Sequence, residues 1–169
     1  MTTLFLDIDG VLNNKISRQK YGQIADFHSA IHENRPFELH RFNFDTSCVR
    51  NLNLLITQFK LDVIISSTWR MWGAKPDHFI QLFNLYDIRL KKIDMIDTSL
   101  EEDKPLKRSE IIKQYVIDNN IIDFIMIDDT LSHYNCYLDC LVLTDDNFGF
   151  DADAYTRASI LLEKITHKA

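Results

Sequence analysis

The sequence predicts an α/β protein: a parallel sheet covered by helices on both faces. Three observations lead there. Short runs apolar on both sides, such as Val63-Ile64-Ile65 and Phe124-Ile125-Met126-Ile127, alternate with segments of helical spacing. Strands without a polar face belong inside a sheet covered twice. Polar clusters then follow three of these runs at once: Asp7 and Asp9, Ser66-Ser67-Thr68, and Asp128-Asp129. In such sheets the carboxyl ends of the strands form the crevice where ligands bind.

The elements follow in order. Thr3–Leu6 is the first strand. Asp45-Thr46-Ser47 offers caps for a helix with Val49, Leu52, Leu55, Ile56 and Phe59 on one stripe. Val63–Ile65 is the second strand. Pro76 and Asp77 suit the first turn of a helix running to about Asn84. Ile88–Ile93 alternates weakly and reads as a short strand. A helix is expected over Lys107–Asp118, with Ile111, Ile112, Tyr115 and Val116 at helical spacing. Phe124–Ile127 and Leu141–Leu143 are the remaining strands, and a helix over about Asp151–Lys164 closes the chain.

Residues 14–44 break the alternation. They are too long for an ordinary connection. They hold Tyr21, Phe27, Phe37, Phe42 and Phe44 together with His28, His32 and His40. The stretch reads as an insert folding over the strand ends within one domain spanning 1–169. It carries a net charge of +2 against −8 for the remainder.

A chain of 169 residues can bury a sufficient core without staples. The hydrophobic share of 46% and charged share of 26% are those of a globular protein. No apolar run approaches the roughly 20 residues needed to span a bilayer. The first apolar run lacks a basic flank and is broken by Asp7 and Asp9, which argues against a secretion signal. The expected compartment is the cytoplasm. Cys48, Cys136 and Cys140 are an odd set, better read as free thiols than as a disulfide framework. The net charge of −6 is poor equipment for gripping long nucleic acid. It suits a site that holds a divalent cation.

Leu4-Phe5-Leu6-Asp7-Ile8-Asp9-Gly10 is the most informative stretch. Two acids two positions apart share one side of a continuing strand. They repel, so they need a cation or a shared proton. Gly10 permits a sharp turn and close approach of a ligand. An Asp-Gly turn after an ordinary strand would look the same, and the polar residues after the other strands decide between the two. A hard cation with oxygen ligands suits the acids, and Mg²⁺ is the natural candidate.

These residues resemble the haloacid dehalogenase (HAD) superfamily of phosphohydrolases, whose four motifs occur in order. Asp7-Ile8-Asp9-Gly10 matches the first. The Ser66-Ser67-Thr68 cluster matches the second, with Ser67 preferred and Ser66 the alternative. Lys107 is the best fit to the third, with Lys104 next. Asp128-Asp129 matches the fourth. More narrowly, Ile65-Ser66-Ser67-Thr68-Trp69-Arg70 and Lys107-Arg108-Ser109-Glu110-Ile111 look like the HAD domain of "Swiss army knife" RNA repair proteins. The resemblance implies a three-layer Rossmann-like core, HAD-like, with a small insert after the first strand in place of a large cap.

It also implies a reaction. Asp7 would attack phosphorus and form an aspartyl-phosphate. Asp9 would protonate the leaving oxygen and then activate water. Asp7, the backbone carbonyl of Asp9, and Asp128 would ligate the metal, with Asp129 acting through water. Ser67 or Ser66 and Lys107 would hold the phosphoryl oxygens. Arg70 is read either as a phosphate contact or as half of a surface ion pair. Trp69 and Trp72 are read as packing residues, with base stacking as the other use. His28 and His32, without a third ligand, read as polar residues of the insert.

The expected substrate is a small phosphate ester of nucleotide type, since the aromatic, basic insert would suit a nucleobase and a phosphate. The alternatives are a phosphatase acting on polynucleotide ends in nucleic-acid repair, and an inactive HAD-like binding module. No membrane partner is expected.

Overall fold

The computed structural model describes residues 2–21, 26–33, 37, 42–98 and 106–167. Five strands form one sheet: β1 (Thr3–Leu6), β2 (Asp62–Ile65), β3 (Ile93–Met95), β4 (Phe124–Asp128) and β5 (Leu141–Leu143). Their order is β3-β2-β1-β4-β5, and every pairing is parallel. The helices are α1 (Lys15–Tyr21), α2 (Asp26–His32), α3 (Thr46–Phe59), α4 (Pro76–Asn84), α5 (Arg108–Asp118) and α6 (Ala152–Thr166). The architecture is the Rossmann-like α/β arrangement expected from the sequence.

Alternation along the strands divides the interior in two. Leu4, Leu6, Val63, Ile65, Ile125 and Ile127 face one core, packed with Leu52, Leu55 and Ile56 of α3 and Ala158 and Leu162 of α6. Phe5, Ile64, Phe124 and Met126 face the other, covered by Ile111, Ile112 and Val116 of α5. Full burial of each such side chain contributes roughly 1.5–3 kcal/mol, so both helical layers are held firmly.

The helix starts are local chemistry. Asp45 accepts from the amides of Ser47 (2.8 Å) and Cys48 (3.1 Å), which opens α3. Asp151 accepts from Ala154 N (2.9 Å), which opens α6. The expected strand over Ile88–Ile93 sits further on, at Ile93–Met95. Pairing with β2, Val63 beside Ile93, sets its position, and the weak alternation upstream does not.

The insert contributes α1 and α2, and its four phenylalanines are core. Phe27 lies 4.8 Å from Trp69 and 5.0 Å from Phe79, ring centre to ring centre. Phe37, Phe42 and Phe44 are buried as well. Their faces are spent on one another and on Trp69, Phe83 and Tyr86. These four rings therefore do not present the nucleobase platform that the sequence suggested. The cysteines are free thiols, and burial pushes the Cys48 thiol up to about 12. Among the described residues no helix is long and apolar enough to cross a membrane.

Candidate active site

The sheet register assembles the site. Leu6 pairs with Ile65 on one side and Ile127 on the other. One position later Asp7, Ser66 and Asp128 stand side by side at the carboxyl ends of β1, β2 and β4. The Ser66 amide donates to Leu6 O (3.0 Å) and the Asp7 amide to Ile127 O (3.0 Å), so the ladder still holds there. By alternation these three continue the face of Phe5, Ile64 and Met126, the face that α5 covers.

Arg108, the first residue of α5, reaches into that row. Its Nη1 donates to Asp7 Oδ2 at 2.6 Å and also to Asp128 Oδ2. All three side chains are nearly withdrawn from water. Burial alone would lower the Arg108 pKa. The charges of Asp7 and Asp128 outweigh it and hold the guanidinium protonated. Arg108 thus offsets part of the repulsion between the two carboxylates.

Lys107, the expected cation, stands at the exposed start of α5. Its backbone amide donates to Glu110 Oε2 (2.9 Å), which closes a capping arrangement. The structure does not bring Lys107 to the acids, and Lys104 lies outside the described residues. The signal for Arg108 was present: residues 108, 111, 112 and 115 are spaced as one helix stripe, and its other three members pack in the core.

Asp128 is fully buried. Its Oδ1 accepts from the Thr130 amide (2.7 Å) and its Oδ2 from the Tyr134 hydroxyl (2.8 Å). Its pKa is raised, first by burial and then by the charge of Asp7. Asp129 is half-buried, accepts from Thr130 Oγ1 (2.8 Å), and is raised by burial. Asp7, Asp128 and Asp129 each offer an oxygen within 4.8 Å of the others. Gly10 makes room for this: its φ is +67°, and a Cβ there would overlap the Asp129 carboxylate. The donor set is all oxygen and hard, which fits a small divalent cation. Two buried polar atoms beside it, Ser66 Oγ and His133 Nδ1, have no hydrogen-bond partner among the described residues. Orphaned groups next to an acid cluster fit a site built for a further ligand.

Asp9 sits apart from that cluster, on the loop after β1. Asn13 Nδ2 donates to its Oδ1 (2.7 Å) and Trp69 Nε1 to its Oδ2 (2.8 Å). Burial raises its pKa, and the two hydrogen bonds oppose the rise. The loop is braced by Gly10 N to Asn13 Oδ1 (3.2 Å) and Thr144 Oγ1 to Gly10 O (3.0 Å). Asn13 and the indole N–H of Trp69 were not read from sequence as partners of Asp9. Their contacts are 4 and 60 residues apart in the chain, and the second has no local signature.

Ser66 and Ser67 separate by face. Ser67 Oγ accepts from the Trp69 amide (3.4 Å) and caps the short helix Thr68–Trp72. Ser66 lies in the row of acids. Arg70 is buried, and its Nη1 donates to the carbonyls of Ser66 (3.1 Å) and Ser67 (2.9 Å). Trp72 is part exposed, 5.8 Å from Trp69 and stacked on it. His28 and His32 lie 4.1 Å apart, ring centre to ring centre and tilted by 49°, exposed on α2 and outside the acid cluster.

Compared with known families, the chain matches the family described as "HAD domain in Swiss Army Knife RNA repair proteins" over residues 3–155. No curated protein and no solved structure matches.

Proposed function

The chain belongs to the family of HAD domains in Swiss Army Knife RNA repair proteins, and we propose that it is a Mg²⁺-dependent phosphomonoester hydrolase working through an aspartyl-phosphate on Asp7. Membership supports a phosphatase-type reaction in general. The observation that carries the finer reading is the separation of Asp7 from Asp9. Asp7 lies in the buried row with Asp128, against Arg108. Asp9 is held away from that row by Asn13 and Trp69. Two acids in different surroundings can take different roles.

In this reading Asp7 Oδ attacks phosphorus in line with the leaving oxygen. Asp9, whose pKa burial raises, gives a proton to that oxygen as the P–O bond breaks. It then takes a proton from the water that cleaves the aspartyl-phosphate and returns Asp7 to a carboxylate. Ser66 Oγ, without a hydrogen-bond partner among the described residues and in register with Asp7, donates to a phosphoryl oxygen. Arg108 pairs with Asp7 and draws charge off the transferring group. Ser67, spent on capping, fits this task less well than Ser66. Asp7, Asp128, the carbonyl of Asp9, and Asp129 through water would hold Mg²⁺. When bound, the ion offsets the repulsion between the phosphate and the carboxylates.

The substrate in this reading is a nucleotide-type phosphate ester. Release of a phosphate from a nucleic-acid end is the second reading, favoured by the family's description. The test is phosphate release with Mg²⁺ from p-nitrophenyl phosphate, mononucleotides, and oligonucleotides phosphorylated at either end. Release from none of them would leave the binding-module reading standing. A strong preference for oligonucleotide ends would select the second reading.

A further inference from the structure

A second feature borders the acid row on the α5 side. A cavity of about 110 Å³ is lined by Thr68, Arg70, Leu106, Arg108, Ile111 and His133. Arg70 and Arg108 are buried, while Thr68 is exposed and the His133 side chain is 42% exposed. Every charged or titratable group of this lining is basic. The acids that neutralise Arg108 belong to the neighbouring row.

Two buried cations side by side repel unless an anion lies between or beside them. Burial, and then the charge of Arg108, lowers the Arg70 pKa to about 10. Among the described residues His133 Nδ1 is buried without a hydrogen-bond partner, 4.0 Å from Asp128 Oδ1. Thr68 adds a hydroxyl to the lining. Arginines in a small concave site are the side chains that suit a phosphate oxygen pair. The cavity is far below the roughly 300 Å³ at which pockets begin to enclose a whole ligand, so it accommodates one group.

We propose that this cavity is a second anion subsite, which takes a phosphate of the substrate other than the one removed at Asp7. The inference rests on the phosphatase reading above and narrows its substrate class. The preferred substrate carries two neighbouring phosphate groups. A nucleoside 3′,5′-bisphosphate has them, and so does an oligonucleotide whose terminal phosphate adjoins a phosphodiester.

The test compares kcat/KM for p-nitrophenyl phosphate, adenosine 5′-monophosphate, adenosine 3′-monophosphate, adenosine 3′,5′-bisphosphate and a short end-phosphorylated oligonucleotide. The wild type is expected to prefer the doubly charged substrates by at least about tenfold, the worth of one charge-assisted hydrogen bond. In Arg70→Gln and His133→Gln that preference shrinks, chiefly through KM. His133 is part exposed, so its variant serves if loss of the Arg70 bonds to Ser66 and Ser67 prevents folding. The bisphosphate and oligonucleotide arms show which source of the second phosphate is used.

No preference in the wild type overturns the inference, and so does an equal loss on all substrates in both variants. Either result leaves the phosphatase reading intact if p-nitrophenyl phosphate is turned over. No turnover of any substrate contradicts both.

Discussion

Trp69 Nε1 donates to Asp9 Oδ2 across 2.8 Å, joining a tryptophan of the hydrophobic core to the acid proposed to move protons. The indole is 1% exposed and stacks near Phe27 of the insert and Trp72. Phe27 of the insert thus packs on the ring that holds Asp9, and the insert's Arg18 donates to Asn13 O (2.6 Å), whose side chain holds the other Asp9 oxygen. Trp69→Phe keeps the packing and removes the N–H. It is expected to lower kcat about 10- to 100-fold, the worth of a hydrogen bond to a charged group, with KM within about twofold. An equal change in KM would mark Trp69 as a substrate contact.

Arg108 and Lys107 are neighbours with opposite fates. Arg108→Ala leaves Asp7 and Asp128 buried without their cation, and is expected to cost about 3–5 kcal/mol of stability without divalent metal. It should also cut kcat/KM by about a hundredfold or more. Lys107→Ala, on the exposed helix start, should change kcat/KM by about threefold or less. Urea unfolding and steady-state kinetics check both. A severe loss in Lys107→Ala together with a mild one in Arg108→Ala would reverse the assignment.

Mg²⁺ should raise the melting temperature of the wild type. A ligand at a hundred times its Kd contributes about 2.7 kcal/mol, or about 5–10 °C in a chain of this size. Asp128→Asn removes one oxygen charge from the fully buried position and should abolish most of that shift. Chelation of the metal should stop phosphate release reversibly.

Gly10→Ala tests the close approach of the first loop to Asp129. The residue has φ +67°, and its Cβ would fall on the carboxylate. The left-handed conformation alone costs about 1–2 kcal/mol for a side chain, or about 2–8 °C in melting temperature. The Mg²⁺-induced shift should shrink as well, because Asp129 must move. A variant with unchanged melting and unchanged metal response would remove Gly10 from the account.

Most of the sheet was legible because buried parallel strands advertise themselves as unbroken apolar runs, as in Phe124–Ile127. The edge strand was not: β3 at Ile93–Met95 is only half-buried, and its pairing with Val63–Ile65 is a long-range choice. Asp7, Asp128 and Asp129 were legible from their positions after strands, and the structure gathers them. Which of Ser66 and Ser67 stands beside Asp7 depends on the sheet register, which no local pattern shows. The aromatic residues of 14–44 signalled a function in the sequence, yet Phe27, Phe37, Phe42 and Phe44 serve packing. A ring in a core and a ring under a base are the same letter; burial tells them apart.

In the proposed reaction Asp7 becomes phosphorylated. Wild type mixed with Mg²⁺ and p-nitrophenyl phosphate, quenched in acid within the first turnovers and reduced with borohydride, should yield homoserine at position 7 in the peptide mass spectrum. Asp7→Asn should yield none and release no phosphate. Brisk phosphate release by Asp7→Asn, or a trapped phosphoryl group on any other residue, would contradict the account.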